Sequence, residues 1–122
     1  MHKNIDIAVR DHVMGWVTKP YFKPSSNISD AWQVIERLAE LGYETLVRNC
    51  ISDNCLGIRR GKAQIGDYFC NISKDDSIND LTHYHKAYAK TATLAICLAS
   101  LKAVGVNIDD IEDYYLTSEI IH

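Results

Sequence analysis

Proline is almost missing from this chain, with two in 122 residues, Pro20 and Pro24, both in one short stretch. Long apolar runs are missing as well. The longest, residues 92–104, still contains Thr93, Ser100 and Lys102 and falls well short of the ~18 residues that span a bilayer. The opening Met1-His2-Lys3-Asn4-Ile5-Asp6 has no apolar h-region, so no secretory signal is expected. There is no internal repeat and no low-complexity tract. No sign of charge dominates, since thirteen Lys and Arg stand against sixteen Asp and Glu for a formal −3. That balance points away from polymeric nucleic acid and from a membrane surface as partners.

What is present describes one soluble domain over residues 1–122. Apolar residues make up 47% and charged residues 24%, an ordinary globular balance. A chain of this length buries roughly 65% of its unfolded surface, enough for one core without staples. Four cysteines, Cys50, Cys55, Cys70 and Cys97, are expected to stay reduced in a cytoplasm. Residues 107–122 form an acidic C-terminal extension. They hold Asp109, Asp110, Glu112, Asp113 and Glu119 without a Lys or Arg, which leaves thirteen bases against eleven acids before them. A mildly basic body of net +2 suits a small anionic ligand, while the tail can equally be a solvated face.

Hydrophobic periodicity sets the expected elements. Ile5, Val9, Val13 and Trp16 recur at steps of four, four and three, a helical stripe over residues 4–16. Pro20 and Pro24 hold Lys19 and Lys23 out of helical space, so residues 18–27 are loop. A second helix starts at Asn27 or Ser29 as cap, buries Ile28, Ala31, Trp32, Ile35 and Leu38, and ends at Gly42. Alternation then predicts strands at 43–48, 55–60 and 63–72, a polar loop at 73–79, and a further strand or rim at 83–90. Residues 91–105 are apolar almost all round and predict a central helix. Asn107 caps a short last helix with the stripe Ile108, Ile111 and Tyr115. The order αα-βββ(β)-αα is α+β, a small antiparallel β-meander sheet with helices packed on its faces.

Signatures of catalysis are lacking. No P-loop, nucleophile elbow, Ser-His-Asp order or HEXXH occurs, and Gly57 and Gly61 flank Arg59-Arg60 without the G-x-G-x-x-G pattern. Cys50 and Cys55 make a C-x4-C with no second pair to complete a zinc site. His83 and His85 would share one face of a strand and so could converge on a metal or phosphate, but no acid at a metal spacing accompanies them. The expectation is a non-enzyme without catalytic residues, metal or cofactor.

A binding composition remains. Arg48, Arg59 and Arg60 can grip phosphate in a bidentate fork. Trp16, Tyr21, Phe22, Tyr84 and Tyr88 can stack on a base, at ~1–3 kcal/mol per base. The start of the third helix, with Thr91, offers amides and hydroxyls. Each has a plainer reading, in which Trp16 closes the core, Tyr21 pins its loop and the arginines are solvated.

Three stretches carry a resemblance: Val13-Met14-Gly15-Trp16, then Ala31-Trp32-Gln33-Val34-Ile35-Glu36-Arg37-Leu38, then Ala95-Ile96-Cys97-Leu98-Ala99-Ser100-Leu101-Lys102-Ala103-Val104-Gly105. In that order, over about residues 4–106, the chain resembles the phage ABA sandwich domain family. The resemblance implies helices on both faces of an antiparallel sheet. Within the family the chain resembles the Thoeris anti-defence sponge proteins, which sequester a cyclic ADP-ribose signal made by bacterial TIR-domain proteins. It therefore implies a phage or prophage protein that binds glycocyclic ADP-ribose without cleaving it, at sites between subunits of a homodimer or higher homo-oligomer. Some members also take cyclic oligonucleotides at a separate site. In such a sponge Trp16 or Tyr84 would be the first choice to stack on the adenine, with Tyr88 or the Tyr21-Phe22 loop as the alternative, Arg48 and Arg59 would meet the pyrophosphate, and Thr91 would hold ribose. The alternatives are a phage accessory module acting through protein contacts, and a metal-assisted phosphodiester hydrolase using His83 and His85.

Overall fold

The computed structural model describes residues 2–52, 55–76, 78, 81–111 and 120–121. Helix α1 (Lys3–Val9) runs on into one wider turn, Arg10–Met14, that ends at Gly15. The expected stripe is real, with Ile5, Val9 and Val13 fully buried and Trp16 half-buried against the same core.

Helix α2 (Ile28–Glu40) starts at Asn27, whose side-chain oxygen accepts the Asp30 backbone N–H at 3.1 Å. Its C-terminus is closed by Gly42 at φ 92°, with Gly42 N–H on Ala39 O and Tyr43 N–H on Leu38 O. This paired closure needs a left-handed residue, which glycine adopts without steric cost. The buried face differs from the expected one. Ala31, Val34 and Leu38 point inward, whereas Ile28 and Trp32 are 59% and 58% exposed. The apolar arc of α2 is wider than its contact, and the helix settles on the side where the small Ala31 lets it approach its neighbour.

Strand β1 (Glu44–Asn49) follows, then β2 (Tyr68–Asp76) and β3 (Leu81–Ala89), each antiparallel to the last. A two-residue strand, β4 (Ile120–Ile121), adds to β3 and completes the order β1-β2-β3-β4. The strand expected at 55–60 is instead the one-turn helix α3 (Leu56–Arg59). The reason is the ladder itself, in which Cys50 N–H bonds Asp67 O at 2.8 Å and Gly66 N–H bonds Cys50 O at 2.7 Å. Those bonds close β1 on the start of β2 and loop out everything between. The strand expected from residue 63 accordingly begins only at Tyr68, and it runs on to Asp76 through residues expected to be loop.

Helix α4 (Ala92–Ala103) is the central element, as its composition predicted. Residues Leu94 to Leu101 are all buried. It lies on the sheet face formed by Cys70, Ile72, Ala87 and Ala89, and α1 and α2 pack on its other side. On the opposite sheet face α3 covers one end, where Cys50, Cys55 and Ala63 form a small second core with Ile58, Phe69 and Tyr88. Helical structure thus lies on both faces, very unequally, and Leu46 and Tyr84 on the α3 face remain exposed. The last helix is a single 3-10 turn, Ile108–Asp110, capped by Asn107; Tyr115 of its expected stripe, with Glu112, Asp113 and Glu119 of the acidic extension, lies outside the described residues. Among the described residues, no helix is long and apolar enough to cross a membrane.

Candidate functional site

Helix α1 and the first residue of the turn that follows it present Lys3, Asp6, Ile7 and Arg10 at positions i, i+3, i+4 and i+7, which a 3.6-residue period places on one face. Facing them is the proline-bounded loop. Together with Lys19, Pro20, Phe22, Lys23 and Ser26 they enclose a cavity of about 440 Å³, within the range of small-ligand sites. Four cations and one carboxylate line it.

The loop wall is fixed by named bonds. Lys23 N–H bonds the Asp30 carboxylate at 2.9 Å, and Asn27 N–H bonds Lys23 O at 2.9 Å. Ser25 N–H bonds Asp6 Oδ1 at 2.9 Å, while Ser25 O accepts the Thr93 hydroxyl at 2.7 Å. Phe22 and Pro24 are buried beneath it. A loop so anchored presents its lysines from a set backbone, which lowers the ordering cost of binding. Among the described residues Asp6 is the only acid in the cavity lining, and burial pushes its carboxyl above the usual range while the Ser25 bond pulls it down. Arg10 also pairs with Asp11 at 2.9 Å on the outer side.

A second recess of about 310 Å³ adjoins the cavity and shares Lys19, Pro20 and Phe22 with it. Trp16, Tyr21, Asp30 and Gln33 complete its lining. The Trp16 and Phe22 rings meet edge to face at 5.0 Å, and Lys19 Nζ lies 5.2 Å from the Trp16 ring centre. Tyr21 is 88% exposed. Trp16 also borders a wider hollow with Met14, Gln33, Glu36, Arg37 and Glu40.

The other expected residues lie elsewhere. Arg48 stands on the α3 face of the sheet, where it lines a groove of about 140 Å³ with Cys55, Leu56, Gly57, Arg60, Phe69, Lys86 and Tyr88. It is Arg60, not Arg59, that joins it there; Arg59 is exposed on α3. Tyr84 is on the same sheet face, with Lys86 Nζ 5.5 Å from its ring. Thr91 is the N-cap of α4, its hydroxyl oxygen accepting the Leu94 N–H at 3.2 Å. The sheet and α4 separate Arg48 and Tyr84 from Trp16 and Tyr21. Of the six, one chain unites only Trp16 with Tyr21 in one recess and places Arg48 and Tyr84 on a common face.

His83 and His85 do share a strand face, as expected. His83 Nε2 lies 3.9 Å from Asp76, and the His85 ring packs edge to face on Tyr43 at 6.3 Å. Among the described residues no three His, Cys, Asp or Glu side chains gather as metal ligands do.

Lys3, Arg10, Lys19 and Lys23, which line the cavity, are not among the residues that the sequence singled out. Two signals were available: cations seven apart on α1, and a lysine immediately before each proline. A family model described as the phage ABA sandwich domain matches residues 1–101. No curated protein and no solved structure matches the chain.

Proposed function

We propose a function from one premise, that the chain belongs to the phage ABA sandwich domain family. It is a phage protein, and in our reading it binds and sequesters a cyclic ADP-ribose-type nucleotide without cleaving it, so that the signal never reaches the host's Thoeris effector. The observation that carries the reading is the sharing of Lys19, Pro20 and Phe22 between a cation-lined cavity and an aromatic recess. A pyrophosphate asks for the first and a purine for the second. Lys3, Arg10, Lys19 and Lys23 would neutralise the phosphates, Trp16 or Tyr21 would stack on the base, and Phe22 would hold the Trp16 ring at its angle.

A sponge gains from ground-state affinity alone, without any stabilisation of a transition state. Calorimetric titration with glycocyclic ADP-ribose, followed by chromatography of the ligand released on heating, tests this. Saturable binding with intact ligand recovered supports it; a hydrolysed product would favour the hydrolase reading. A homodimer or higher homo-oligomer is part of the proposal, and sedimentation of the free and loaded protein measures it.

The second reading, an accessory module acting through protein contacts, is favoured by Ile28 and Trp32. They stand one helical turn apart on the outward side of α2, both more than half exposed.

A further inference from the structure

At the end of the groove on the α3 face, two thiols sit within reach of one another. Cys50 closes β1 and Cys55 precedes α3, and their sulfurs are 3.1 Å apart, hydrogen-bonded and not covalently joined. The pair lies apart from the cation-lined cavity, within the small second core under α3. We propose that Cys50 and Cys55 form a peroxide-reactive dithiol, in which Cys55 takes the oxidant and Cys50 resolves it to an intramolecular disulfide.

Geometry assigns the roles. Cys55, 7% exposed, is among the residues lining the groove with Arg48, Arg60 and Lys86, so the groove is the side from which a small oxidant would approach it. Cys50 is fully buried behind it. The backbone of Cys50 is clamped on both sides by the bonds to Asp67 and Gly66, so its sulfur stays in place. Bond formation needs an approach of only about 1 Å, given a disulfide length of ~2.05 Å. Once Cys55 ionises, the Cys50 S–H can turn to donate to it across the same 3.1 Å contact, and that bond, with the Ile58 and Gly57 N–H groups and Arg48, favours charge on Cys55 against the cost of burial, so that its thiol lies below the ordinary value. Burial first, then the bond to Cys55, pushes Cys50 up to about 11. A thiolate on the groove side and a thiol behind it are the arrangement that peroxide chemistry uses.

The steps balance. The Cys55 thiolate attacks one oxygen of hydrogen peroxide and the O–O bond breaks. The departing hydroxide takes the proton Cys55 released, which leaves water and a sulfenic acid on Cys55. Cys50 sulfur then attacks the sulfenyl sulfur, the S–O bond breaks, and the hydroxide leaves as water with the Cys50 proton. Two thiols and one peroxide become one disulfide and two waters. The bond would fix the chain from residue 50 to residue 55 and with it the edge of the groove.

No Lys or Arg lies between the two cysteines, so trypsin releases both in one peptide, residues 49–59. Native protein is treated with hydrogen peroxide, unfolded, alkylated and digested. The expected result is a 49–59 peptide lighter by two hydrogens, resistant to alkylation until reduced, and forming at least roughly tenfold faster than any change at Cys70 or Cys97, which are buried in the main core. In Cys50→Ser, dimedone should trap a sulfenic acid on Cys55; in Cys55→Ser, Cys50 should stay reduced. Peptide 49–59 remaining fully alkylatable, reacting no faster than Cys70 and Cys97, or going straight to sulfonic acid would each overturn the proposal. The wild-type measurement stands alone if either variant fails to fold.

Discussion

The carboxylate of Asp6 on α1 accepts the backbone N–H of Ser25, nineteen residues on, at 2.9 Å and out of water. Ser25 in turn accepts the Thr93 hydroxyl of α4. One acid therefore ties the cation-bearing loop to both helices beneath it. Without it the loop's amide would be buried unpaired.

That bond gives the first prediction. Burial raises the Asp6 carboxyl, so the folded protein holds this proton to higher pH than the unfolded chain does. The linked stability is complete below the unfolded value of about 3.9 and is lost as pH rises through the higher folded value. Asp6→Asn keeps an acceptor without the charge. It should match or exceed the parent in urea unfolding at pH 7 and show a flatter profile above pH ~4. Asp6→Ala should lose about 1–3 kcal/mol, the cost of a stranded buried donor.

His85 predicts the opposite slope. Its ring is held below the ordinary imidazole value by burial first, then by His83 and Lys102. The unfolded chain therefore takes up a proton near pH 6.5 while the folded protein resists it, so stability falls as pH drops from about 6.5 to the depressed folded value. Urea midpoints between pH 7 and 5 should show that fall, and His85→Leu should reduce it. An unchanged profile in the variant would remove His85 as its source.

The core offers a contrast between two apolar residues. Leu98 is 1% exposed at the centre of α4, and Leu98→Ala should cost roughly 2–5 kcal/mol. Trp32, large and apolar on α2, is more than half exposed; Trp32→Ala should change monomer stability by less than about 0.5 kcal/mol. Equal costs would contradict the assigned faces.

Gly57 is where α3 meets the sheet. A Cβ there would overlap the Tyr88 ring, which itself packs on Phe69 at 4.9 Å. Gly57→Ala should displace that ring and cost about 1–3 kcal/mol, the usual penalty of overpacking. Thermal unfolding together with Tyr88 ring shifts in NMR measures both parts.

The sequence made the helices legible because they carry long periodic signals and caps: Asn27 and Thr91 both cap as their types suggest. What it hid was short or depended on tertiary pairing. Residues 55–60 read equally as strand or helical turn, and only the pairing of Cys50 with Gly66 and Asp67 decides. The face of α2 was ambiguous because its apolar arc exceeds its contact. Aromatics drew attention to Trp16, Tyr21 and Tyr84, of which Trp16 and Tyr21 adjoin the cation-lined cavity while Tyr84 stands on the α3 face of the sheet. Arginines drew it to Arg48 and Arg59, whereas the cations lining this cavity are Lys3, Arg10, Lys19 and Lys23. Residue type alone could not show that seven residues along α1 bring Lys3 and Arg10 opposite Lys19 and Lys23.

Calorimetric titration of glycocyclic ADP-ribose into wild type, Trp16→Ala and Lys19→Ala decides whether this cavity and recess hold an intact cyclic nucleotide. Wild type should bind saturably and return unaltered ligand on heating. Each variant should bind at least tenfold more weakly, a loss of ~1.4 kcal/mol, and raising salt should weaken wild type while weakening Lys19→Ala less, because one charge has gone. Wild-type heats no larger than dilution, or variants with undiminished affinity, would contradict the account.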